Sequence, residues 1–213
     1  MIRKTGILGG TFDPVHNGHL ALAHAAGKLC ELSEVMLLPA AVPPHKQGQN
    51  ISDFSHRTEM LTIASREIPL LHVSSLEKML PPPSYTIDTL QYLELHSIGE
   101  VEFYFIIGAD AFLDIPSWYK YTEVLNHCHF IVFSRNGYKR KKLHRIFKQL
   151  NYSRRKGRWE NTQSGKSIFT SDTSLPVISS SDIRKRISAG LPVKKLLPEG
   201  VDRYIKKNGL YQC

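Results

Sequence analysis

Between Gly9 and Leu20 the chain reads GGTFDPVHNGHL, which puts two imidazoles, His16 and His19, three residues apart at the end of the first apolar run. An imidazole offers a directed N–H that can stabilise charge on phosphate oxygens. The pair Gly9 and Gly10 lets a ligand come close to the main chain. A helix is expected to begin near Gly18, and its first amides and positive dipole end suit an anion at the same point. The stretch therefore reads as a site for a nucleotide phosphate. Neither of the two common phosphate fingerprints is present. Gly-x-Gly-x-x-Gly does not occur here, and SGKS at 164–167 is not a Walker loop, because Glu160 stands where that loop needs glycine. Zinc on His16 and His19 would need further ligands, and no Cys or carboxylate lies at a familiar spacing, so no protein metal site is expected.

Such a site has to be held by strands. Apolar β-rich runs alternate with helical patterns through residues 2–150. Strands are expected around Ile7–Leu8, at Val35–Leu38, at Leu70–Val73, in VEFYFIIGAD up to Gly108, and at Phe130–Phe133. Helices are expected at Leu20–Leu32, Arg57–Arg66, Ile87–His96 with Thr86 as N-cap, and Lys141–Leu150, with Asp110 capping a further helical run. Ser181–Ser188 and Gly200–Lys207 also read as helical. Alternation of this kind implies an α/β fold: a doubly wound, mainly parallel sheet with helices on both faces. Ligands bind such sheets beyond the carboxyl ends of the strands. One domain of 213 residues is expected, with a core over 1–175 and a small helical segment over 176–213.

Composition narrows the class. No apolar run is long enough to span a membrane, and the N-terminus lacks the shape of a signal peptide. Cys30, Cys128 and Cys213 are widely spaced and odd in number, which fits reduced thiols in a cytoplasm. The formal charge of +9 is local: residues 139–166 hold eleven Lys or Arg against one acid, Glu160, while the remainder has 17 basic and 18 acidic residues. With few interleaved aromatics and no known binding motif, that window reads as a solvated helix and loop, and nucleic acid is not expected as a partner.

A second segment, ISSSDIR at 178–184, lies about 160 residues after the first. Together the two motifs resemble the nucleotidyltransferase superfamily, which carries a His-x-Gly-His signature early and an Ile-Ser-Ser-Thr-x-Ile-Arg signature late. Ser181 stands where threonine is more usual and keeps the hydroxyl. Four further segments, PPHK at 43–46, SYTIDTL at 84–90, IIGADAF at 106–112 with SWY at 117–119, and the C-terminal GLPVKKLLPEGVDRYIKKNGLY, are similar to bacterial nicotinate-nucleotide adenylyltransferases nearly end to end. The three prolines of KMLPPPSYT, and Pro116 beside SWY, depart from that pattern.

The resemblance implies a Rossmann-like nucleotidyltransferase fold and a reaction of ATP with nicotinate mononucleotide, giving deamido-NAD and pyrophosphate. It assigns His16 and His19 to the α-phosphate and bridging oxygens, and Lys46 and Arg184 to the outgoing phosphates, with His45 assisting. Gly9, Gly10, Thr11, Phe12, Gly108, Asp110, Ser180 and Ser181 would bind ATP. Thr86, Trp118, Tyr119 and Arg135 would join His45 and Lys46 around the mononucleotide, Trp118 by stacking on the pyridine. Mg2+ would arrive with ATP. The alternatives are nicotinamide mononucleotide or pantetheine phosphate as acceptor, or a nucleotide- or RNA-binding protein of the same fold without catalysis. Oligomeric state is left open, a homo-oligomer included.

Overall fold

The computed structural model describes residues 2–43, 48, 50–134, 140–173 and 175–212. His45, Lys46 and Arg135 lie outside them.

Eight strands form one sheet in the order β3-β2-β1-β4-β5-β8-β7-β6. They are β1 (Arg3–Gly10), β2 (Glu34–Pro39), β3 (Leu71–Val73), β4 (Val101–Gly108), β5 (His129–Phe133), β6 (Ser153–Arg155), β7 (Arg158–Glu160) and β8 (Ser167–Ser171). The first five strands run parallel to one another and β8 runs parallel to β5; β7 is antiparallel to β6 and β8. Strand order reverses between β1 and β4, which opens a crevice beyond their carboxyl ends.

Side chains of the central strands alternate between two cores. Ile7, Phe103, Phe105 and Ile107 pack on one face, and Leu8, Tyr104 and Ile106 on the other. The first face is covered by α3 (Thr86–His96), α4 (Ala109–Leu113), α5 (Tyr121–His127) and α6 (Arg140–Gln149), through residues such as Leu90, Phe112, Leu125 and Phe147. The second is covered by α1 (Asn17–Cys30), α2 (Phe54–Ser65), α7 (Ser180–Ser188) and α8 (Glu199–Lys207), through Ala23, Leu61, Ile183 and Val201. Each large apolar side chain buried this way contributes roughly 1.5–3 kcal/mol, so both faces resist slippage of the strands that carry the site.

Three sequence expectations need correction. Thr86 is the first residue of α3 and Tyr85 is its N-cap, without a side-chain bond. Asp110 is not a cap either: Gly108 is, and Asp110 sits in the first turn of α4, where its charge complements the dipole. The window 139–166, read as a solvated helix and loop, holds β6 and β7 after α6, and β8 follows it directly. Two of these strands, SRR and RWE, are only three residues long, too short for an apolar alternation to announce them.

Candidate active site

His16 is the N-cap of α1, with extended backbone, and His19 is the third residue of the helix. Each backbone N–H donates to the other's ring: His19 N to His16 Nδ1 and His16 N to His19 Nδ1, both at 3.3 Å. The rings stack with centroids 3.7 Å apart. A capping box normally built from Ser/Thr and Glu is here built from two imidazoles. Both Nδ1 atoms are acceptors, so in the neutral rings the proton sits on Nε2. Burial pushes the pKa of His16 down from 6.5 to about 4, which keeps that ring neutral near pH 7. His16 thus offers an Nε2–H donor rather than a cation. The free amides expected at this helix start are partly committed: Asn17 N donates to Leu196 O at 3.0 Å and His19 N is taken by the cap.

Gly18 makes room for this arrangement. A Cβ there would come within 3.0 Å of His16 Nδ1 and 3.4 Å of the carbonyl of Pro176. Phe12 holds φ at 52°, in the left-handed region, and its buried ring packs edge-on against His19 at 4.9 Å. It supports the imidazole from behind and lies in the core rather than on the wall of either cavity described below.

The late motif meets the early one here. Ser180 Oγ donates to Pro14 O at 2.9 Å, and Arg184 Nη1 donates to Asp13 O at 2.7 Å. Ser181 is exposed in the first turn of α7. Asp13 is 2% exposed and ties distant parts of the chain together. Its carboxylate accepts from Tyr211 Oη at 2.6 Å and from Ser52 N at 3.3 Å, and Arg184 lies 3.9 Å away. Arg57, also 2% exposed, donates to the carbonyls of Ser52, Thr11 and Ala40 at 2.8–2.9 Å. Neither role was legible in the sequence. An aspartate before proline favours a turn, and an arginine within a helical pattern normally faces water.

Two cavities share His19, Leu22 and Gly108. The larger, of about 340 Å³, lies over the crevice between β1 and β4 and is walled by Gly9, Gly10, Thr11, Phe105, Thr86 and Trp118 among others. Trp118 is half-buried, with its ring 5.7 Å from that of Phe105. Tyr119 is half-exposed and packs on Tyr85 at 4.5 Å. Glu77, buried in the wall, accepts from Thr89 Oγ1, and burial raises its pKa against the opposing pull of Ser84, Ala41, Thr89 and Arg57. The smaller cavity, of about 210 Å³, is lined by His16, Gly18, Phe133, Ser134, Pro176 and Ile178 among others. Asp110 is exposed two residues beyond Gly108 and lines neither cavity.

Gly108 has an ordinary φ of −76°, and a Cβ there would meet nothing within 4 Å. Neither backbone nor packing calls for glycine, and the open space lies where the two cavities meet. Gly108→Ala should raise KM for the nucleotide roughly ten-fold, equal to about 1.4 kcal/mol of lost contact. The stability change should stay below about 1 kcal/mol, the ordinary cost of alanine at an N-cap. Steady-state kinetics and urea unfolding check both.

His129 shares the acid sensitivity of His16. Burial, with Lys166 adding to it, pushes its pKa from 6.5 to about 4, and its Nδ1 accepts from Ser167 N at 3.0 Å. The unfolded chain binds more protons between those two values, so stability falls as pH drops from 6.5 towards 4. Each such histidine should cost about 2 kcal/mol between about pH 7 and about pH 5. His129→Asn keeps an acceptor without titrating, and urea midpoints at the two pH values should show a shallower loss in the variant.

A mainly parallel sheet reversed at its centre thus carries two stacked imidazoles where two cavities meet. Residues 7–186 match the cytidylyltransferase-like family model. A probable nicotinate-nucleotide adenylyltransferase of Desulfotalea psychrophila is 36% identical over 212 residues, covering 99% of this chain and all of that one. The nicotinate-nucleotide adenylyltransferase of Bacillus subtilis is 35% identical over 211 residues, covering 99% of this chain and 100% of the other. The chain therefore belongs to the cytidylyltransferase-like family, among the nicotinate-nucleotide adenylyltransferases. A solved structure of Plasmodium falciparum nicotinic acid mononucleotide adenylyltransferase complexed with NaAD shares the fold, with a TM-score of 0.72 at 22% identity over 98% of this chain and 97% of the other. Among the described residues, no helix is long and apolar enough to cross a membrane.

Proposed function

We infer that this protein condenses ATP with nicotinate mononucleotide to give deamido-NAD and pyrophosphate, with residues 1–213 forming one domain. The observation that carries the reading is the pair of cavities meeting at His19. A dinucleotide product has two bases joined through two phosphates, and this arrangement offers two chambers with phosphate donors at the junction. The larger chamber, with Trp118 on its wall and Thr86 at the start of α3, suits a pyridine carrying a carboxylate. The smaller suits adenosine.

In the reaction, an oxygen of the mononucleotide 5′-phosphate attacks the α-phosphorus of ATP. The bond from that phosphorus to the α–β bridging oxygen breaks, and pyrophosphate leaves with the electron pair. No protein nucleophile is needed; positioning and charge stabilisation do the catalysis. The Nε2–H groups of His16 and His19 donate to the α-phosphoryl oxygens as charge builds on them. Arg184, braced by Asp13, faces the departing phosphates, and Lys46 and His45 are assigned to the same anion.

ATP enters as its Mg2+ complex, with the ion held by phosphate oxygens and water. The donor set supports this: the groups at the junction are N–H donors, and the nearest acid in the motif, Asp13, spends its carboxylate on Tyr211 and Ser52. The free buried thiols Cys30 and Cys128 support a cytoplasmic setting.

Steady-state pyrophosphate release with the acid and the amide mononucleotide tests the assignment. A higher kcat/KM with nicotinate mononucleotide is expected. A preference for the amide would overturn the substrate, and release unaffected by His19→Ala would overturn the mechanism.

A further inference from the structure

The segment after α8 reaches back to the early motif. Helix α8 closes in a Schellman turn: Leu210 N donates to Ile205 O at 3.1 Å and Gly209 N to Lys206 O at 3.3 Å, with Gly209 at φ 60°. Glycine suits that left-handed position. Tyr211 also holds a left-handed φ, of 65°, which a residue with a Cβ adopts only under constraint. That backbone brings its half-buried ring against the core around Ile183 of α7 and Ile205 of α8. It also sets Oη 2.6 Å from Asp13 Oδ1. Burial, and then the bond to Asp13, raises the pKa of the phenol, so it stays protonated and donates.

Docking of α8 does not depend on this bond. Val201 and Ile205 are buried, and Tyr204 Oη meets His56 Nδ1 of α2 at 2.9 Å. What the bond holds is Asp13. The other carboxylate oxygen of Asp13 accepts only a longer bond, from Ser52 N at 3.3 Å. Arg57 adds an attractive charge but donates to backbone carbonyls. The carbonyl of Asp13 accepts from Arg184 Nη1 at 2.7 Å, and its Oδ2 stands 3.9 Å from the same nitrogen. Ser180 Oγ, on Pro14 O, keeps α7 alongside. The phenol therefore fixes the aspartate, and the aspartate sets the direction of the guanidinium.

We propose that Tyr211 is a positioning residue for adenylyl transfer: by holding Asp13, it aims Arg184 at the β- and γ-phosphates of ATP. The proposal rests on the role given to Arg184 above. Tyr211 lines neither chamber, so it acts through the two residues between. The Arg184 side chain is 28% exposed, which leaves part of its fork open to an anion. A guanidinium anchored through one nitrogen presents its remaining N–H groups in a fixed plane. Released from that anchor it samples more rotamers, and the triphosphate must order it again on binding. The expected signature is weaker binding of the phosphates that depart, with the mononucleotide little affected.

Tyr211→Phe keeps the ring and removes Oη alone. Steady-state kinetics are run with whichever mononucleotide turns over faster, so that substrate choice does not enter. KM for ATP should rise about five-fold and KM for the mononucleotide should change less than about two-fold. In the reverse direction KM for pyrophosphate should rise by the same factor and KM for the dinucleotide should not. Arg184→Gln should raise KM for ATP by at least about ten-fold, and Tyr211→Phe added to it should contribute less than about two-fold more. No rise with Tyr211→Phe, or equal rises for both substrates, would make Tyr211 a structural residue and overturn the proposal. An effect that persists in full beside Arg184→Gln would overturn it too. A KM for ATP unmoved by Arg184→Gln would overturn the role of Arg184 and the proposal with it, whichever mononucleotide is preferred.

Discussion

His19→Asn should lower kcat/KM for adenylyl transfer by about a thousand-fold, whereas His19→Gln should lower it only about ten-fold. The contrast follows from the division of labour within one ring. Nδ1 of His19 accepts from His16 N and closes the cap, and Nε2 is the nitrogen proposed to donate to phosphate. An asparagine amide oxygen can stand near Nδ1 and keep the cap, but nothing remains at the Nε2 position. A glutamine amide nitrogen reaches the Nε2 position and abandons the cap. Stability should therefore run the other way, with glutamine losing about 1 kcal/mol and asparagine little. Pyrophosphate-release kinetics and urea unfolding on the two variants give the comparison. Higher activity in the asparagine variant than in the glutamine variant would mean that the ring acts through its cap alone.

Arg57→Met should cost about 3–5 kcal/mol of stability, although Arg57 lines neither chamber of the site. Its guanidinium satisfies three backbone carbonyls in the interior, on Thr11 after β1, Ala40 after β2 and Ser52 before α2. Methionine fills the volume of the stem and leaves all three acceptors dry. Burial lowers the pKa of Arg57 while Asp13 and Tyr211 oppose that shift, so the charge is placed among groups that favour it. Arg57→Lys should fall between, since one ammonium cannot fork to three carbonyls. Urea midpoints measure the loss. The glycine loop should loosen as well, seen as a higher KM for both substrates. A loss below about 1 kcal/mol would show that water can replace the guanidinium.

Much of this protein was readable along the chain, because the information was local. The alternation of β-rich and helical runs up to residue 150 specified a parallel sheet, and loops that follow parallel strands must carry the site. His16, Gly18 and His19 fall within one turn of helix, so their spacing alone placed them together. Tertiary structure decided what depends on residues far apart. The bond from Tyr211 to Asp13 spans 198 positions, and the one from Arg184 to the same residue spans 171. No periodicity records such pairings. Arg57 reads as a surface residue until the fold surrounds it with carbonyls. The tautomer of the two imidazoles is likewise a product of folding, fixed by which ring nitrogen the backbone meets. Short charged strands such as β6 form because a neighbouring edge is waiting to pair with them, and their own residues carry little preference for it. Local pattern names the elements and the reactive groups; long-range hydrogen bonds and burial determine how those groups are aimed and which protons they hold.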